Sequence, residues 1–253
     1  MTRLALTAAA LLAAATISTA ADKETRVFEL RTYAVAADKM ADFDAAMKET
    51  FSKSFAEGGA KPLGYFKSLD PKECKFVALL SYPDEATQKK AHVYLNGAAQ
   101  GIAEETAGKL KGVGTDVKTT ALTLTDYSPA VEVTKADPAR VFELRIYTTT
   151  PGNLPALDSR FRDHTIELFK THGITNLWYF HHAKGTPGAD STLVYFLAHA
   201  SAKARDKSFD DFRKDPKWVT ALKASETKAG GPLTAKDGVK SLMLTPTDYS
   251  PIR

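Results

Sequence analysis

"RVFELR" occupies Arg26–Arg31 and is written again at Arg140–Arg145. Six identical residues recurring in one chain point to an internal duplication, and the second copy begins 140 − 26 = 114 positions after the first. Read outward at that offset, Tyr33 falls on Tyr147, Phe55 on Phe169, Gly59 on Gly173, Leu63 on Leu177 and Tyr65-Phe66 on Tyr179-Phe180. The offset then grows to 193 − 76 = 117, because Ala183–Ser191 (AKGTPGADS) is longer than its counterpart around Asp70-Pro71, and Phe76–Tyr82 matches Leu193–His199. Both copies close on the phrase TDYSP, at Thr125–Pro129 and Thr247–Pro251, now 122 positions apart. Each copy is therefore a domain-sized unit of about 105 to 115 residues. The chain divides into a first unit at 22–129, a linker at 130–139 (AVEVTKADPA) and a second unit at 140–253.

Within a unit the hydrophobic pattern alternates between periods. VFELRIY is rich in β-branched and aromatic residues and alternates along its length, which predicts a strand with Phe142 and Leu144 on one face and Glu143, Arg145 and Tyr147 on the other. A helix is expected over Leu154–Thr171, opened by Pro-Gly-Asn and ended by Gly173. Ile174–His182 and Thr192–His199 read as a hairpin. A helical region from Ala202 breaks at Asp215-Pro216 and restarts, with Pro216 early in the new helix where its missing N–H costs nothing. Val239–Leu244 is the closing strand.

This βαββαβ order predicts an α+β fold: a ferredoxin-like antiparallel sheet with its helices on one face. The other face of such a sheet must meet something. Two copies in one chain supply the answer, with the sheets packed face to face or closed into a shared barrel as an intramolecular pseudo-dimer. On this reading Phe and Leu of each RVFELR lie under the helices. Glu29 with Arg31, and Glu143 with Arg145, are expected as structural polar pairs directed toward the partner sheet.

Four ordered stretches, FELRIY, RFRDHTIELFKTHG, DDFRKDPKW and LTPTDYSP, together resemble the NIPSNAP domain. The resemblance covers nearly all of the second copy and, in more divergent form, the first. NIPSNAP domains are similar to the dimeric α/β-barrel superfamily, so the resemblance implies the same fold as the periodicity. It also implies kinship with small monooxygenases and haem-binding enzymes. NIPSNAP members themselves are linked to mitochondria, vesicles and protein–protein interaction, so the resemblance implies a fold more sharply than a reaction.

The first 21 residues, with Arg3 as the only charge, an Ala/Leu run and small residues at Ser18-Thr19-Ala20, have the layout of a secretory signal peptide. We therefore expect an exported protein, periplasmic or extracellular, with no stable membrane span after cleavage. Losing the signal removes one Arg, so 33 basic against 30 acidic residues leave +3. With no Lys/Arg block this excludes nucleic acid as an expected partner. The lone Cys74 excludes an internal disulfide and, far from the cleavage point, a lipid-modified N-terminus.

Chemistry-bearing residues are unevenly divided. Five of six histidines and both tryptophans are in the second copy. At matched positions the first copy has Thr50 for His164, Gly58 for His172 and Gly64 for Trp178. A functional site is therefore expected in the second copy, with Arg162, His164, His172, Trp178 and Tyr195 as its candidate pocket. His164 lies mid-helix, where an imidazole serves as base, anion anchor or ligand. Asp163 and Glu167 are at helical spacing beside it, yet no HExxH or CxxC spacing accompanies them, and no metal site is expected. No GxSxG, phosphate loop or dinucleotide fingerprint is present either. The expected role is binding of a small molecule or a protein partner without a cofactor. A monooxygenase-like or haem-binding enzyme is the alternative, and further oligomerisation stays open.

Overall fold

The computed structural model describes residues 26–94 and 117–253; the expected signal peptide at 1–21 lies outside the described residues. The first unit runs β1 (Val27–Ala34), α1, β2 (Lys61–Ser68), β3 (Lys75–Tyr82), a helix α2 described over 85–94, and β4 (Val117–Leu124). Helix α1 has three parts, Met40–Ala46, a π-helical turn Met47–Phe51, and Ser52–Glu57. The second unit runs β5 (Val141–Thr149), α3, β6 (Thr175–His182), β7 (Thr192–His199), α4 (Ala202–Lys214), α5 (Pro216–Ala229) and β8 (Thr234–Pro246). Helix α3 repeats the plan of α1, with Leu154–Arg160, a π turn Phe161–Thr165, and Ile166–Thr171. The two π turns lie at the same offset, 161 − 47 = 114.

Local chemistry accounts for the boundaries. Ser201 caps α4 by accepting from the Ala204 N–H at 3.1 Å, and Asp215 caps α5 by accepting from Lys217 N–H at 2.7 Å. Gly173, at φ +73°, turns the chain out of α3. Strand β8 begins at Thr234, earlier than expected, because Asp237 takes a left-handed conformation and the pairing of β5 with β8 shifts there. Gly238 is required at this irregularity: a Cβ would stand 2.5 Å from the Thr148 carbonyl oxygen.

The eight strands close into a single barrel in the order β1-β3-β2-β8-β5-β7-β6-β4, with every neighbour antiparallel. The units meet where β2 pairs with β8 and β4 with β6. Since β1 and β5 run in the same direction, the pseudo-twofold axis relating the units lies along the barrel axis. Inside are Phe28, Leu30, Leu79, Phe142, Leu144, Trp178, Phe180 and Phe196, all buried in one apolar cluster. Val131 and Val133 of the linker, with Ile252, pack onto this cluster at the end where β1 and β5 begin. Linker and C-terminus are tied together there by Ala136 N–H to Arg253 O (2.8 Å) and Arg253 N–H to Thr134 O (3.2 Å).

The faces of RVFELR are the reverse of the sequence expectation. Phe28, Leu30, Phe142 and Leu144 point into the barrel toward the other unit, while Glu29, Arg31, Glu143 and Arg145 point under the helices. The reason is dielectric: an eight-stranded barrel is filled by side chains and dry, so charges placed there would be buried without water or partners. Under the helices α2 and α4 supply those partners.

The repeated TDYSP is a reciprocal clasp. Thr247 N–H donates to Tyr65 O (2.9 Å) and the Tyr65 N–H donates to Ser250 Oγ (3.1 Å). Thr125 N–H donates to Tyr179 O (2.9 Å) and Tyr179 N–H to Ser128 Oγ (3.0 Å). Tyr249 and Tyr127 then reach helices of the opposite unit, donating to Asp44 Oδ1 at 2.8 Å and Asp158 Oδ1 at 2.6 Å. Each unit thus ends by stitching its closing phrase to the second strand and first helix of the other.

Candidate functional site

The five residues expected to share a pocket do not meet. Trp178 points into the barrel core, whereas Tyr195, on the neighbouring strand, points under the helices. His164 is exposed on the π turn of α3. Arg162 belongs to the clasp, holding both oxygens of Asp126 at 2.8 and 2.9 Å, and His172 Nε2 lies 2.8 Å from Asp215 Oδ2 at the α4–α5 junction. The other histidines of the second unit are also held apart: His181 by Asp158, His182 by the Pro187 carbonyl, His199 by Glu143. Among the described residues no group of three or more His, Cys, Asp or Glu could hold a metal ion.

What the second unit does build is a filled polar core between sheet and helices. Glu143, 0% exposed, receives Arg145 Nη1 at 2.5 Å, Arg205 Nη2 at 2.6 Å and Ser241 Oγ at 2.6 Å, with His199 Nε2 at 3.2 Å. Burial opposes ionisation of its carboxyl, but the hydrogen bonds from His199 and Arg205 and the charge of Arg145 outweigh that and hold it well below the usual carboxylate range. Arg145 spends its other donors on Tyr195 Oη (2.9 Å) and Tyr147 Oη (2.8 Å). Tyr195 stacks on Tyr179 at 5.1 Å and 12°, and the Tyr179 hydroxyl donates to Asn176 Oδ1. Every ring and fork in this row is occupied.

The first unit repeats the charges among different neighbours, with Arg31 over the Phe55 ring, 5.4 Å from its centroid. Glu29, also 0% exposed, is held by Arg31 Nε at 2.7 Å and by Gln88 Nε2 (2.8 Å) and His92 Nε2 (2.7 Å) from α2. In the sheet row Arg31–Ala78–Tyr65, however, a methyl group stands where Arg145–Tyr195–Tyr179 has a ring. Arg31 thereby lacks the phenol acceptor that Tyr195 offers Arg145, and its contact with Tyr33 Oη stretches to 3.4 Å. Pro62 replaces Asn176 at the matched position, so the Tyr65 hydroxyl loses its acceptor as well. Tyr65 and Tyr82 are 2% and 1% exposed, and neither hydroxyl has a partner among the described residues. In the second unit, His199 Nδ1, at the position matching Tyr82, is likewise without one. Burial pushes both phenol pKa values up, which keeps the hydroxyls protonated and able to donate.

The NIPSNAP family model matches residues 28–129 and 142–251, one match per unit. The chain belongs to the NIPSNAP family. Among solved structures, this NIPSNAP chain is similar to an anthrone oxidase-like protein at 11% identity and TM-score 0.57, over 90% of this chain and 94% of that one. It is also similar to a protein of Lactobacillus acidophilus proposed to be a monooxygenase, at 13% identity and TM-score 0.54 over 88% and 94% of the two chains. A NIPSNAP family protein of unknown function from Agrobacterium tumefaciens matches at 21% identity over 48% of this chain and all of that one, with TM-score 0.39. No curated protein matches significantly. At these identities the first two neighbours show the fold alone, a closed antiparallel barrel flanked by helices. Among the described residues no helix of the NIPSNAP chain is long and apolar enough to cross a membrane.

The histidines and tryptophans that set the second unit apart in the sequence are dispersed within it: Trp178 in the barrel core, Trp218 against Phe212, His172 on Asp215, His181 on Asp158, and His164 exposed. The internal alignment carries a further difference between the copies: Ala78 stands against Tyr195 and Pro62 against Asn176, so the first copy keeps the charged pair and lacks the ring and the amide beside it.

Proposed function

We propose that this NIPSNAP protein binds a small planar molecule between sheet and helices of its first unit, with a ring over Ala78 and an anionic or hydrogen-bond-accepting group facing Arg31, Tyr65 and Tyr82. The observation that carries the reading is the buried Tyr65 hydroxyl beside Ala78, which has no partner among the described residues. Buried polar groups in native proteins nearly always have a partner, and orphaned ones call for a ligand or water. The second unit supplies the shape of the ligand: a phenol ring stacked on the tyrosine of β6, with its oxygen on the arginine of β5. Small phenols and aryl carboxylates fit that description, and their recognition needs no cofactor.

Calorimetric titration of the full chain with such a panel tests the reading. Ala78→Tyr, which restores the second unit's ring, should abolish binding; Tyr65→Phe should weaken it about tenfold, the loss of one hydrogen bond to an anionic group. Absence of binding across the panel, or unimpaired binding by Ala78→Tyr, overturns it.

An oxidative reading concerns the same place. A phenol held against the Arg31 guanidinium is favoured as the electron-rich phenolate, and the fold neighbours include proteins named for oxidase and monooxygenase activity. Oxygen uptake on adding an electron-rich phenol, lost in Arg31→Gln, would extend binding to reaction. The layout of residues 1–21 supports export, which the mass of the mature protein recovered from outside the cytoplasm would test.

A further inference from the structure

The barrel has two unlike ends. One is plugged by Val131, Val133 and Ile252. The other, where β1 and β5 finish and β4 and β8 begin, holds a cavity of about 450 Å³ lined by strands of both units. Leu144, Ile146 and Leu242 form its apolar floor, continuous with the barrel core, and Lys75, Lys118 and Lys240 stand around it. Lys118 and Lys240 are equivalent residues of the two units, 240 − 118 = 122 apart like the TDYSP phrases, and sit opposite the equivalent residues Thr32 and Ile146. Among the described residues Glu73 is the one acid in the lining, so their three lysines against one carboxylate give +2.

From this arrangement we infer a second site, at the barrel mouth, for a single-chain anionic amphiphile such as a fatty carboxylate. Its headgroup lies between Lys118 and Lys240, with Lys75 beside them, and its chain end lies on Leu144, Ile146 and Leu242. The volume falls within the range of small-molecule pockets, about 300–1,000 Å³. Lysines suit this task, since long stems cover apolar surface while the ammonium groups stay at the rim. A purely polar anion would leave the floor unused, and a neutral chain would leave the lysines unused. Only a molecule with both parts uses the whole cavity. The site is separate from the one under the helices of the first unit, being on the opposite face of β1 and β3.

The experiment is titration of the full chain with dodecanoate, dodecanol and inorganic phosphate. Dodecanoate should bind saturably, and both dodecanol and phosphate at least tenfold more weakly. Lys118→Ala and Lys240→Ala should each weaken dodecanoate by about tenfold, and by similar factors because the residues are equivalent, as for loss of one hydrogen bond to a charged group. The double reversal Lys118→Glu with Lys240→Glu should abolish binding while circular dichroism and the fluorescence of buried Trp178 are retained. Ala78→Tyr should leave dodecanoate binding unchanged, which separates failure here from failure of the first-unit site. Absence of saturable dodecanoate binding, equal binding of dodecanol or of phosphate, or retention in the double reversal overturns the inference.

Discussion

The two units share a backbone plan down to the π turn, and they differ in what lies between sheet and helices. In the second, Glu143 has four partners and Tyr195 closes the row between Arg145 and Tyr179. In the first, Glu29 keeps its ion pair, but Ala78 and Pro62 withdraw the ring and the acceptor that would complete the row. Duplication explains the difference physically. Two copies are free to diverge in which buried polar atoms they leave unpaired, at a cost of about 1–3 kcal/mol each: among the described residues these include the Tyr65 and Tyr82 hydroxyls in the first unit and Thr149 Oγ1, Arg160 Nε and His199 Nδ1 in the second.

The largest expected effect comes from making the second unit like the first. Tyr195→Ala should cost about 3–5 kcal/mol, as other buried aromatic truncations do, and toward the upper end because Arg145 also loses an acceptor. Urea unfolding would read it. If the comparison is sound, a small phenol should recover part of the loss by occupying the vacated ring position, whereas a loss below about 1 kcal/mol would mean that Tyr195 is not what fills this unit.

Next is the carboxylate itself. Glu143→Gln leaves Arg145 and Arg205 without their shared counter-ion and should cost about 3–4 kcal/mol. Glu29→Gln should cost less, because Arg31 and His92 are at 14% and 39% side-chain exposure and water can replace part of the lost contact. Equal losses would break the contrast. The acid limb follows with a definite sign. The folded Glu143 carboxyl is held below its unfolded value of about 4.3, so its contribution is fully present above that pH and disappears as pH falls toward the folded value. Denaturation midpoints measured from about pH 6 to pH 2 should fall less steeply for Glu143→Gln than for the parent protein.

These contrasts also show how far the sequence could be read. The duplication, the βαββαβ order, the hairpin and the polar pairs were all visible, because periodicity and identical hexamers are local properties. Which face of RVFELR turns inward was not, since alternation separates two faces without saying which is wet. Here neither is: Phe142, Glu143, Leu144 and Arg145 are all buried, so no exposed polar side marks the outside. The candidate pocket failed for a related reason. Trp178 and Tyr195 lie on neighbouring strands one register step apart, Trp178 opposite Phe196 and Tyr179 opposite Tyr195, and one step is enough to put them on opposite faces.

The smallest predicted effects are symmetric. Ser128→Ala removes the acceptor for Tyr179 N–H, and Ser250→Ala removes the one for Tyr65 N–H; both serines are buried. Each should cost about 1–2 kcal/mol, the penalty of leaving one buried backbone donor unpaired. The two losses should match, because the clasp is the same construction in both directions, and should add, because the serines share no partner. Unequal losses would place the asymmetry of the units in their assembly as well as in their interiors. Matching losses confine it to the interiors, to the row in which Ala78 faces Tyr65 where the second unit has Tyr195 facing Tyr179.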